Sequence, residues 1–221
     1  MLNRRGRFRL FPGIGVSWRE LLFWTFLLAS FRSFESSQTS RQLAGVVEVI
    51  IFLSVAVPSA GKLRRLGLDF AGWNAIGARP AIVSTLVGVA AGGTIVAIAA
   101  VSQQPLGTEK GWNWVILAVV LGPVVEELVF RGYLMAGALL LVKFLCAAAQ
   151  NAASVVGVAL VFAIAHVART GTTVVQLCCF VLTGSLYGFL RVRYQSTAAA
   201  ALAHGAYNLA LYVSHWIGIS S

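Results

Sequence analysis

Long apolar stretches alternate with short polar or basic ones along this chain, and their lengths predict helices that cross a membrane rather than pack in a soluble core. The predicted spans are residues 17–33, 43–57, 81–101, 114–136, 153–168, 173–190 and 197–217, the first short and tilted and the second ended by Pro58. Residues 59–80 are polar and basic and read as a loop with some interfacial helix, and 102–113 read as the following loop. Residues 137–151 are apolar but hold Lys143, which suits a helix end or a surface helix. The expected fold is all-α, a polytopic membrane bundle of about seven helices, within a range of roughly six to eight. Gly88 and Gly92 in one span, and Gly184 and Gly188 in another, follow the small-xxx-small spacing that lets helices approach closely.

Composition supports that class: 58% of the 221 residues are hydrophobic and only 11% charged, against about a quarter charged in an ordinary soluble domain. The net charge of +10 could suggest nucleic acid, but in so apolar a chain it fits basic loops on an anionic cytoplasmic membrane face. Placing the N-terminus inside puts Arg4, Arg5, Arg7, Arg9, Arg19, Lys62, Arg64, Arg65, Arg79, Lys143, Arg191 and Arg193 on inner segments. Only Arg32, Arg41, Lys110 and Arg169 then lie outside. That asymmetry obeys the positive-inside rule, with seven spans and an outer C-terminus. The basic start resembles a signal peptide, yet no small-x-small cleavage site follows it, so the segment reads as a retained first helix. Cys146, Cys178 and Cys179 are too few and too poorly spaced for a disulfide framework or a thiolate metal site.

Charge inside the spans changes the picture from scaffold to chemistry. After a run without charge from Gly111 to Val125 come Glu126, Glu127 and Arg131. Ionisable groups at membrane depth are unfavourable unless they face a bundle interior or a watered cavity, and they mark function by default. The competing reading is a helix end at the interface, whose charges snorkel into water. Glu127 and Arg131 stand at i and i+4 and can pair, whereas Glu126 lies roughly 100° round the helix and projects elsewhere. Three more polar residues fall inside spans: His166, then His204 and Asn208 on one helix face. Their simplest role is hydrogen bonding between helices.

Depth argues that these groups meet. Counting 1.5 Å per residue puts His204 at about 10 Å and Asn208 at about 16 Å from the inner start of their helix. The same count puts His166 at about 16 to 20 Å along its own helix, and Glu126 about 10 Å from the inner edge of the core. A desolvated carboxylate beside two imidazoles and an amide suits hydrolysis of an amide bond. Desolvation makes a carboxylate more basic, so Glu126 can deprotonate a water and later protonate the leaving amine. His166 can hold the same water, and His204 and Asn208 can donate to the developing oxyanion.

Three motifs in order, Glu126-Glu127-x-x-x-Arg131, Phe162-x-x-x-His166 and His204-x-x-x-Asn208, resemble the CAAX protease and bacteriocin-processing (Abi) family of intramembrane proteases, the type II CAAX prenyl endopeptidases. The resemblance covers about residues 112–216 and divides the chain into an N-terminal membrane region, 1–111, without a motif, and a catalytic core, 112–217. It implies a membrane protease in which Glu126 and His166 activate water while His204 and Asn208 stabilise the oxyanion, with Glu127, Arg131 and Phe162 in support. It implies no cofactor, and a peptide or protein partner, lipidated in the eukaryotic members, which cut the last three residues from prenylated proteins. Bacterial members are linked to peptide maturation or bacteriocin immunity, some of them without proteolysis.

Other classes compete with this reading. Glu126, His166 and His204 would suffice as zinc ligands with an open position for water, although the His-Glu-x-x-His helix that usually presents them is missing. A non-enzymatic scaffold or immunity protein would keep the motifs as helix-packing contacts. A proton-coupled transporter would use the same residue types, but the hydropathy pattern shows no inverted repeat. No nucleic-acid partner is expected. The expected location is a bacterial inner membrane with the N-terminus cytoplasmic and the site toward the cytoplasmic half.

Overall fold

The computed structural model describes residues 8–11, 14–16, 72, 76–102, 115–170 and 173–218. The expected spans 17–33 and 43–57, and the loop 102–113 beyond Ser102, lie outside them. Five helical rods are described, and they coincide with the last five expected spans, so the count of seven rests on residues outside this set. The remaining element is a short antiparallel hairpin of strands β1 (Phe8–Phe11) and β2 (Ile14–Val16), which the all-helical expectation did not include.

The first rod, α1, is Ala78–Ser102. Pro80 is accommodated because the first turn of a helix has no need of that N–H. The second rod is continuous but changes register twice: a π-helical turn at Leu117–Leu121, α2 at Gly122–Glu127, a longer π-helical stretch at Leu128–Leu134, and α3 at Met135–Leu141. A turn around Lys143 then leads into α4, Ala147–Thr170, so the ambiguous segment 137–151 is the end of one rod and the start of the next. Helix α5, Val174–Tyr194, opens on a reciprocal cap between Thr173 and Gln176. It closes on Gln195 in the left-handed region, and α6, Thr197–Trp216, follows at once.

Three of these helices, α1, Ala147–His166 of α4 and α5, are long and apolar enough to cross a membrane. Only 22% of the apolar window of α1 is buried within the protein, and Ile82, Leu86, Val101, Ile164 and Leu182 stand exposed on outer faces. In water such faces would be adhesive; in lipid they are the natural surface. The interior is where the polar groups lie: Glu127, Arg131, Ser154, Thr197 and His204 are all buried.

Close approach of backbones organises that interior. Helix α1 packs most extensively against α6, because a side chain on Gly88 would run into the Ala203 carbonyl and one on Gly92 would come within 2.7 Å of the Ala210 methyl. Helix α5 lies against α4 in the same manner, Gly184 over Ala159 and Gly188 over Val155. Between these pairs the second rod packs into a small cluster of Phe130, Met135, Val158 and Phe162, and a second cluster, Tyr187, Leu190, Ala200 and Ala203, joins α5 to α6.

Candidate active site

Pro123 starts the construction. In the π-turn before it, the Gly122 N–H reaches back five residues to the Leu117 carbonyl. The next donor in that register would serve Ala118, but it is Pro123 and has no N–H. The side chain of Asn208 on α6 takes its place, donating from Nδ2 to the Ala118 carbonyl at 2.6 Å. Gly205, one turn earlier on α6, has no side chain to collide with the Val119 carbonyl. An irregular turn on one helix is thus docked by an amide and a glycine on another, and Glu126 follows that turn directly. Such π-turns are frequent at functional sites.

Glu127 and Arg131 form the pair that their spacing predicts. Arg131 Nη1 donates to Glu127 Oε1 at 2.9 Å, and neither side chain is exposed. Arg131 Nη2 donates to the Gly184 carbonyl of α5 at 2.7 Å, while its guanidinium lies 4.6 Å from the Phe162 ring centre and 5.3 Å from that of Tyr187. Glu127 Oε1 has a second donor, His204 Nδ1, also at 2.9 Å. One carboxylate therefore links α5, through the arginine, to α6, through the histidine. This arrangement fixes the His204 tautomer, since Nδ1 must carry the hydrogen that an ionised carboxylate accepts.

His166 is fixed in the same way by a different acceptor. Its Nδ1 lies 2.8 Å from the Phe162 carbonyl, which can only accept, so Nδ1 donates and Nε2 presents its lone pair. His166 Nε2 lies 3.5 Å from Glu126 Oε2 and His204 Nε2 lies 3.9 Å from the same oxygen. Aromatic rings hold both imidazoles in plane: Phe162 and Phe180 flank His166 at 4.1 and 5.0 Å between centres, and Tyr187 stacks on His204 at 4.8 Å. With both imidazoles neutral, three acceptor atoms from three rods converge. Such a set suits a species that donates protons, and a water molecule is the simplest one. The described residues form no group of three or more His, Cys, Asp or Glu side chains arranged to hold a metal ion.

The sequence motifs are thus brought to one place, but not in uniform roles. Glu126, His166 and His204 converge, and Glu127, Arg131 and Phe162 surround them. Asn208 sits against a backbone carbonyl. The depth count also needs correcting: α4 begins at Ala147 instead of 153, which puts His166 about 28 Å along it. The helices do not start at a common level, and their contacts rather than residue counts bring the groups together. Sequence reasoning missed Gly184 as an arginine acceptor, Pro123 as the origin of the π-turn and Tyr187 as the partner of His204. The signal for Tyr187 was its position between two glycines that draw α5 close to its neighbour.

Residues 108–210 match the family model described as Type II CAAX prenyl endopeptidase Rce1-like. Over that segment the chain is similar to the Rce1-like family. No curated protein and no solved structure matches it. The Rce1-like segment is just under half of the chain and contains every residue of the converging cluster, from Pro123 to Asn208. Its family description names an endopeptidase, which agrees with a carboxylate and two imidazoles gathered among apolar helices.

Proposed function

We propose that this protein is an intramembrane endopeptidase in which Glu126 activates water to hydrolyse a peptide bond near the C-terminus of a membrane-associated, CAAX-type substrate. The observation that carries the reading is the approach of His166 Nε2 and His204 Nε2, on two other helices, to Glu126 Oε2 at 3.5 and 3.9 Å. A water bound among them gives one proton to Glu126 as its oxygen attacks the scissile carbonyl carbon. The C=O electron pair becomes the oxyanion of a tetrahedral intermediate. When that collapses, the C–N bond breaks and the proton on Glu126 passes to the leaving amine. His166, held by the Phe162 carbonyl, orients the water. His204, held by Glu127, presents Nε2 to the same water, and the second N–H of Asn208 supplies stabilisation near the oxyanion. Glu127 and Arg131 act through His204 and are positioning residues.

The test is cleavage of a farnesylated CAAX peptide and a mixed peptide library by the purified protein in detergent, wild type beside Glu126→Gln, each with and without chelator. Activity that survives chelation but disappears in the variant supports the glutamate mechanism. Activity abolished by chelator would instead make Glu126, His166 and His204 metal ligands. Function retained in Glu126→Gln would favour the scaffold, because glutamine can still hydrogen-bond between helices.

A further inference from the structure

Tyr187 is almost fully buried, at 1% exposure, yet its hydroxyl has no hydrogen-bond partner among the described residues. Every contact described for its ring is one a phenyl would make equally well: the stack on His204, the edges toward Phe162 and Tyr207 at 6.4 Å, and the face toward Arg131. A buried hydroxyl without a partner is destabilising relative to that phenyl. The fold therefore gains nothing from the oxygen at this position. Its ring lies 4.8 Å from that of His204 and 5.3 Å from the Arg131 guanidinium, so it belongs to the converging cluster and not to a remote packing layer.

The donors expected to meet an oxyanion are, meanwhile, partly committed elsewhere. His204 spends its Nδ1 hydrogen on Glu127, and in the neutral ring its Nε2 then accepts. Asn208 spends one of its two amide hydrogens on the Ala118 carbonyl. From this donor shortage and the unused phenol we infer that Tyr187 is a further catalytic residue, whose O–H donates to the oxygen of the scissile carbonyl as charge develops on it. This rests on the proteolytic reading above. No covalent step is added: the hydroxyl keeps its proton, and its hydrogen bond strengthens as the carbonyl oxygen becomes an oxyanion.

Tyr187→Phe keeps the ring and its stack, so the full-length variant can be compared with wild type and Glu126→Gln on the same peptides, beside thermal unfolding in detergent. The expected result is kcat lowered about 10²-fold with KM within about twofold and a Tm equal to or above that of wild type. Unchanged kcat beside an inert Glu126→Gln overturns the role of Tyr187 and leaves the protease reading standing. A clearly lowered Tm also overturns it, because the hydroxyl would then be bound within the fold. No cleavage by wild type, or cleavage undiminished in Glu126→Gln, overturns the protease reading and this inference with it.

Discussion

At the scale of single residues, the two adjacent glutamates are separated by what holds them. Glu127 is locked between Arg131 and His204 at 2.9 Å each, with no exposure. Glu126 sits at the longer distances of 3.5 and 3.9 Å from two imidazoles. A locked carboxylate makes a poor base and a good anchor, so the two substitutions to Gln should behave differently. Glu126→Gln is expected to lower kcat by about 10²- to 10⁴-fold with little loss of stability, as judged by peptide cleavage and thermal unfolding on the same preparation. Arg131→Leu should instead destabilise the protein by about 3–5 kcal/mol, because it leaves Glu127 buried without its counter-charge. If Arg131→Leu unfolds at the wild-type temperature, the pair is not the strut that its geometry suggests. Arg131→Lys should restore charge without the fork that serves Glu127 and Gly184 together, and rescue only part of the loss.

At the scale of elements, the irregular rod is held in place by α6. Asn208→Ala removes the donor for the Ala118 carbonyl and leaves that oxygen partly buried and unsatisfied, a loss of about 1 kcal/mol. Pro123→Ala acts on the same bond from the other side, returning a backbone N–H that can serve Ala118 directly. Combining Pro123→Ala with Asn208→Ala should therefore recover stability relative to Asn208→Ala alone in thermal unfolding, without recovering cleavage. Additive losses would mean that the proline and the asparagine do not share that carbonyl. This coupling also marks what was legible beforehand. Hydropathy located the last five rods to within about six residues at their ends, because a lipid-spanning helix needs length and apolarity that composition displays openly. The i,i+4 spacing gave the pairing of Glu127 with Arg131, which is local. Contacts between rods were not legible: nothing in the spacing of 118, 123 and 208 announces that they share one hydrogen bond. Nor does the run 182–188 announce that Gly184 lends its carbonyl to an arginine. Counting along helices misplaced His166 because α4 begins six residues before the expected start, in a stretch where Gln150 and Asn151 interrupt the apolar pattern.

At the scale of the whole molecule, orientation follows from the ends of the five described rods. Arg79 lies in the first turn of α1, Lys143 in the turn before α4, and Arg191 and Arg193 in the last turn of α5. These ends alternate along the chain in the way that places all four basic residues on one side of a membrane. Positive charge is retained on the cytoplasmic side, so α1 is expected to begin inside, the second rod to return to the inside, and α6 to end outside. Phosphatase fused after Ser102 or after Gly218 is accordingly expected to be active outside the cytoplasm, and phosphatase fused at Lys143 or Gln195 to be inactive there. Reporters that fluoresce only in the cytoplasm should give the complementary pattern. This prediction depends only on the five described rods. An inverted pattern would turn the bundle over. Activity at all four positions, or at none, would mean that the rods do not each cross. Three glutamate- and histidine-bearing rods would then have to meet outside the bilayer, where their exposed apolar faces would have no lipid to cover them.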